Sequence, residues 1–186
     1  MTIVTRISQA MPTRRTGLKM MHVAMIPLMV WFTLVQPADV AKFGPFWVDL
    51  HSVFGLVFVS LALLWSVDYW RRGLASRPGP KLPIWARSLH FWLHRIIIWG
   101  VFLVAVGGFF IGVTASRQLW AGNVVPIAVP LDLPQANDLV GTLHAIEFYL
   151  LALIILGHAT FHIWRHYWLR DNALRIMAPK ALHKYL

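Results

Sequence analysis

Apolar residues gather in four long runs, separated by short polar or proline-rich stretches. The runs cover approximately residues 17–35, 49–70, 85–114 and 138–168. Each is of a length that crosses the hydrocarbon core of a bilayer, which takes about 20 helical residues. The apolar part of the first run is short, so its polar start is expected at the interface. Pro27 lies inside it, which a membrane helix tolerates with at most a kink. Residues 36–48 hold two prolines and a glycine and read as a loop, with Phe46 and Trp47 suited to an interfacial aromatic belt. Asp49 is expected to act as an N-cap or first-turn acid of the second helix. Residues 71–84 form a basic loop with three prolines. Gly100, Gly107, Gly108 and Gly112 let a neighbouring helix or a flat cofactor approach the third helix closely. Residues 115–137 form the longest loop, with extended stretches expected at 124–127 and 128–131, laid as a lid across the mouth of the bundle. The pattern predicts an all-α membrane protein: one four-transmembrane-helix bundle, residues 1–186 as a single domain.

Composition agrees with this reading. The chain is 58% hydrophobic, with a mean hydropathy of +0.62, against roughly 45–50% apolar residues in soluble domains. There is no cysteine, which excludes disulfides, iron–sulfur clusters, thiolate-ligated haem and covalent haem attachment. The basic start followed by an apolar run resembles a signal peptide, but the run is long and lacks a small-residue cleavage site. It is expected to be retained as the first helix.

The net charge of +10 would suggest nucleic acid as a partner in a soluble protein. Here its placement gives another explanation. Arg6, Arg14, Arg15 and Lys19 precede or open the first helix. Arg71, Arg72, Arg77, Lys81, Arg87 and Arg95 lie between or near the second and third. Arg165, Arg170, Arg175, Lys180 and Lys184 follow the fourth. These are 15 of the 17 basic residues, and only Lys42 and Arg117 fall on the opposite side. The positive-inside rule puts both termini in the cytoplasm and assigns no nucleic-acid partner.

The stretch 139–168 carries His144, His158, His162 and His166 within an apolar helix. Imidazoles there are expensive unless they bind something or face a protected interior. His144 and His158 are 14 residues apart, about four turns, so they share one face at a separation of about 21 Å. Orientation then sets depth. His22 and His158 both lie toward the cytoplasmic side, and His51 and His144 toward the outer side. Each pair offers two imidazoles from different helices at one depth, the ligand set with which a bundle holds b-type haem. Zinc or copper is the competing reading. Zinc generally takes three or four ligands at one point, often with cysteine or carboxylate, and Glu147 is the intramembrane carboxylate available. His90 and His94, four apart, share a face near the start of the third helix.

The chain resembles the bacterial cytochrome b561 family of small four-helix di-haem inner-membrane proteins. The most specific stretch is TLHAIEFYLLALIILGHATFHIWRHYWLRDNALRIMAP, with His144, His158, His166, Tyr167, Trp168, Arg170, Asp171, Asn172, Leu174, Arg175, Met177 and Pro179. LKMMH, DLHSVFGLVFVSLALLW and FWLHRIIIW resemble the family's elements at His22, His51 and His94. The resemblance implies two haem b groups, with iron held axially by His22 with His158 and by His51 with His144. It implies residence in the bacterial inner membrane and exchange of electrons with a membrane quinone such as ubiquinone. The family includes a superoxide:ubiquinone oxidoreductase type. His94, Arg165 and His166 are candidate contacts to quinone or haem propionates. The alternative is a haem-bearing anchor or electron-transfer subunit, serving a periplasmic electron donor or partner redox enzyme without a substrate site of its own.

Overall fold

The computed structural model describes residues 13–75, 77–178 and 182–185. Four helices are long and apolar enough to cross a membrane: α1, Arg14–Leu34; α2, Pro45–Arg72; α3, Ile84–Thr114; and α4, Pro134–Tyr167. A short helix, α5 (Ala173–Met177), follows. Arg6, Pro179 and Lys180, and most of the expected basic arm, lie outside the described residues.

Helix starts are set by loop residues rather than by the first apolar position. Thr13 caps α1, its side chain accepting from the Thr16 N–H at 3.3 Å. Pro45 and Pro134 open α2 and α4, and Pro83 is the N-cap of α3. A proline at the first position gives up an N–H that would have no partner in the helix, and its φ is already helical. Hence α2 and α4 each begin four residues before the expected 49 and 138. Asp49 is therefore neither cap nor first-turn acid, because α2 has no acid in its first turn. Its carboxylate instead accepts from Asn123 Nδ2 at 2.8 Å. The expected loop 36–48 is largely helical too, with one turn at Pro37–Val40 and a 3-10 turn at Ala41–Phe43. Gly73, at φ 69°, ends α2 with its N–H on the Tyr69 carbonyl at 2.7 Å.

The helices run up and down, with the most extensive packing between α3 and α4. Gly100 is one reason: a Cβ there would lie 2.7 Å from Leu151 Cδ1. The main core joins Met29, Phe32, Phe58, Ala62, Val101, Val104, Phe148 and Leu151, so all four helices contribute. Within it Phe32 meets Phe58 and Phe148 edge-on, with ring centroids 5.8 and 6.3 Å apart. Outward-facing Leu64, Leu103, Leu150, Leu153 and Leu156 are exposed. That is a liability in water and the expected surface against lipid.

At the basic end, Arg14 ties the start of α1 to the end of α2. Its Nη2 lies 2.8 Å from Asp68 Oδ2 and donates to the Gly73 carbonyl at 2.8 Å. At the opposite end the long loop folds back onto the start of α2 and the end of α3. Its strands are shorter than expected: β1 (Trp120–Ala121) pairs antiparallel with β2 (Val125–Pro126), and 128–131 forms no strand. Gly122 and Asn123 turn the chain at φ 57° and 60°. The Gly122 N–H donates to Ser52 Oγ at 3.0 Å, and a side chain at 122 would collide with Val53. Asn137 Nδ2 donates to the Ile111 carbonyl at 2.8 Å and to Thr114 Oγ1 at 2.9 Å, joining α4 to α3.

Candidate functional site

Helix geometry places the four candidate ligands at two depths. His22 is eight residues into α1 and His158 nine residues from the end of α4. Both are thus about 12–14 Å from the basic end. They lie near enough to interact electrostatically, as do His51 and His144 toward the opposite end. Phe32 packs edge-on against His51, with ring centroids 4.9 Å apart, and Trp65 tilts against His22 at 6.1 Å. Phe32, Phe58 and Phe148 supply an aromatic layer between the two levels.

All four histidines share one local feature. Nδ1 is buried without a well-formed hydrogen bond in His22, His51, His144 and His158. Backbone groups of Val35 and Val104 lie beside His51 and His144 but are poorly aligned. In each it is Nδ1, and not Nε2, that is found buried without a hydrogen bond. That arrangement suits imidazoles that present Nε2 to an axially ligated group, with Nδ1 left to a second-shell carbonyl. The donor set, neutral nitrogen without cysteine, likewise fits b-type haem.

The glycines of α3 gain specific neighbours. A Cβ at Gly107 would sit 2.8 Å from His144 Nδ1 and 3.4 Å from Glu147 Oε2, and one at Gly108 would sit 3.5 Å from His144 Cε1. The small residues thus hold a place for the His144 ring between α3 and α4. Gly107→Val is expected to displace that ring and lower cofactor occupancy at the His51 and His144 level at least several-fold. The His22 and His158 level should be untouched. A haem content assay with a redox titration checks this, and equal loss at both levels would count against it.

At the basic end the structure gathers more histidines than the pairing needs. His94 stands edge-on to His158, centroids 4.7 Å apart, and His162 lies 4.5 Å from His158. His90 is fully buried and lies 4.2 Å from His94. His90, His94 and His162 bring one ligand-capable nitrogen each within 4.8 Å of one another. Of the candidate quinone contacts, His94 belongs to this group. His166 is buried, packed edge-on to Tyr167 at 4.9 Å. Arg165 is 1% exposed and bound to Asp171: Nε donates to Oδ2 at 2.9 Å, and Nη2 lies 2.7 Å from the same oxygen. Asp171 Oδ1 accepts from the Ala173 N–H at 3.0 Å, opening α5.

Two features were not singled out from sequence. One is the convergence of His90 and His162, for which the i, i+4 spacing of His90 and His94 was the available signal. The other is a groove of about 810 Å³ between α2 and α3, lined by Tyr69, Trp70, Phe91, Trp92, Arg95 and Trp99 among others. Arg95 lies 4.3 Å over the Phe91 ring, and its Nε is buried without a hydrogen bond.

No curated protein matches the chain. A family model described as prokaryotic cytochrome b561 matches residues 14–180, which takes in all four long helices and α5. The four-helix architecture and a match over most of the length lead to one conclusion: this chain belongs to the prokaryotic cytochrome b561 family.

Proposed function

We propose that the protein carries electrons across the bacterial inner membrane between two b-type haem sites and exchanges them with a membrane quinone. Family membership supports the quinone-linked electron-transfer role and haem b as the cofactor. The finer reading is that His22 with His158 holds the inner haem and His51 with His144 the outer one. The observation that carries it is the set of four intramembrane imidazoles, from three helices at two depths, each with Nδ1 closed off. Haem held by these histidines would supply one-electron transfer.

The chain's own residues do the rest. The Phe32, Phe58 and Phe148 layer keeps water and charge out of the space between the levels. Both termini lie in the cytoplasm on this reading, which makes the Arg14–Asp68 end the inner one. Residues 1–186 act as one membrane domain. Quinone exchanges electrons at that inner end, where His94 lies against His158. The groove between α2 and α3 has an apolar aromatic wall and a cationic group, Arg95, suited to a quinone carbonyl. His166 is the imidazole that would donate to quinone or propionate oxygens, while His94, whose Nδ1 lies on the His90 carbonyl oxygen at 2.7 Å, contributes through its place against His158. Arg165 supports that end through Asp171. The outer side has little positive charge, only Lys42 and Arg117, so a docked protein donor suits it better than an anion such as superoxide.

The test is a dithionite-reduced minus oxidised spectrum of the purified protein, with haem quantified per chain, followed by quinol oxidation and quinone reduction assays. About two b-type haems per chain with quinone turnover by the chain alone is the expected result. Haem without turnover would replace the stand-alone oxidoreductase by an electron-transfer subunit. No haem band in folded protein from haem-replete cells would sink the pairing altogether.

A further inference from the structure

We propose that His90, His94 and His162 form a binding site for a divalent transition-metal cation of the zinc class, beside the inner histidine pair and separate from it. The ligands come from the two helices that pack most extensively, α3 and α4. His90 and His94 are one turn apart on α3, and His162 faces them from α4. One nitrogen from each lies within 4.8 Å of the other two. A tetrahedral zinc site with bonds of about 2.0–2.1 Å needs nitrogens about 3.4 Å apart. Side-chain rotations of about 1 Å close that gap without moving either helix.

Two hydrogen-bonding details favour a cation over simple ring packing. His94 Nδ1 lies 2.7 Å from the His90 carbonyl oxygen, so Nδ1 carries the proton and donates it there. This leaves Nε2 of His94 as a lone-pair donor, the second-shell arrangement that metal-binding imidazoles use. His162 Nε2 is buried without a hydrogen bond. A buried nitrogen in that state is left unsatisfied, and ring stacking does not satisfy it. A metal would.

The chemistry of the set narrows the ion. Three neutral imidazoles without carboxylate select zinc or copper over magnesium or calcium. Arg165 is the cationic group near the cluster, and Asp171 balances it at 2.7 Å. The fourth position would be taken by water or hydroxide, leaving the site open as in three-ligand zinc centres. His90 is six residues from the start of α3 and His162 five from the end of α4, so the site lies near the basic membrane face. His158 is not one of the three ligands, although its ring centroid lies 4.5 Å from that of His162.

The experiment uses the full-length protein with its native cofactors, stripped of loose metal by a chelator. Zinc is then added in equilibrium dialysis and counted by mass spectrometry. One zinc per chain is expected, bound at least about 100-fold more weakly in His162→Gln and His90→Gln, since loss of a ligand should exceed the 10–100-fold cost of losing a second-shell group. His183→Gln, whose ring bonds the Ala178 carbonyl, should bind as the parent does. Zinc-edge X-ray absorption of the parent should show three imidazoles. Absence of stoichiometric zinc, undiminished binding in His162→Gln, or fewer than three imidazoles at the edge would each overturn the site. Haem content, measured alongside, reports whether the variants fold. The zinc count does not depend on electron transfer, so failure of the electron-transfer reading and failure of this site are separately visible.

Discussion

His158→Ala is expected to cut the haem content of the purified protein from about two per chain to about one, and His22→Ala to do the same. The haem that remains should be the same species in both variants, with one midpoint potential in a redox titration. His51→Ala and His144→Ala should retain the other species, with a different potential. Combining His158→Ala with His144→Ala should abolish haem. The reason is positional. His22 and His158 sit about 12–14 Å from one end of the bundle on α1 and α4, and His51 and His144 occupy the other level. Each iron would lose one of two axial imidazoles, and an alanine cannot replace it. The pairing would be wrong if His22→Ala and His158→Ala retained different haems, or if a single substitution removed both. His158→Ala also deletes a ring packed against His94 and His162. Agreement between His22→Ala and His158→Ala therefore matters more than either result alone.

Arg165→Ala is expected to destabilise the protein by about 3–5 kcal/mol, the usual cost of stranding one member of a buried ion pair. The side chains of Arg165 and Asp171 are 1% and 3% exposed, and the pair is closed over by Gly79. A Cβ at Gly79 would lie 2.9 Å from both Arg165 Nη2 and Asp171 Oδ2. Removing the guanidinium leaves a carboxylate in a place water does not reach. The double variant Arg165→Met with Asp171→Leu should recover much of the loss, because apolar replacement of both partners avoids the stranded charge. Thermal unfolding in detergent, followed by circular dichroism, measures both variants against the parent. A loss below about 1 kcal/mol for Arg165→Ala would mean that the pair behaves as a solvated surface bridge. The same substitution should loosen α5, since Asp171 also accepts the Ala173 N–H.

Much of this architecture was legible from hydropathy, because a bilayer imposes a length and a composition on whatever crosses it. The four apolar runs became four helices, with the end of α3 at Thr114 as expected. Helix starts were less legible. Pro45 and Pro134 read as loop residues, whereas each is the first residue of its helix, and Asp49 lost its capping role in consequence. The hairpin at Trp120–Ala121 and Val125–Pro126 had a local signal in Gly122-Asn123; the extended stretch expected at 124–127 contains β2, whereas the one expected at 128–131 forms no strand and β1 was not foreseen.

The candidate site divides in the same way. The depths of His22, His51, His144 and His158 follow from the 1.5 Å rise of a helix and from the charge at the ends of each run, both linear properties of the chain. That a histidine sits on the same face as another one turn away is also linear. Which helix that face meets is not. Only the packing of α3 on α4 brings His90 and His94 to His162, and only the fold of the chain after Tyr167 gives Arg165 to Asp171. Likewise the sequence shows that Gly107 is small, while the structure shows that the His144 ring needs the space. By itself, then, the sequence determined the membrane helices, their charge asymmetry and the depth of the four candidate ligand histidines. The tertiary structure decided who faces whom, since neighbours in a bundle are chosen by side-chain packing between segments far apart in the chain.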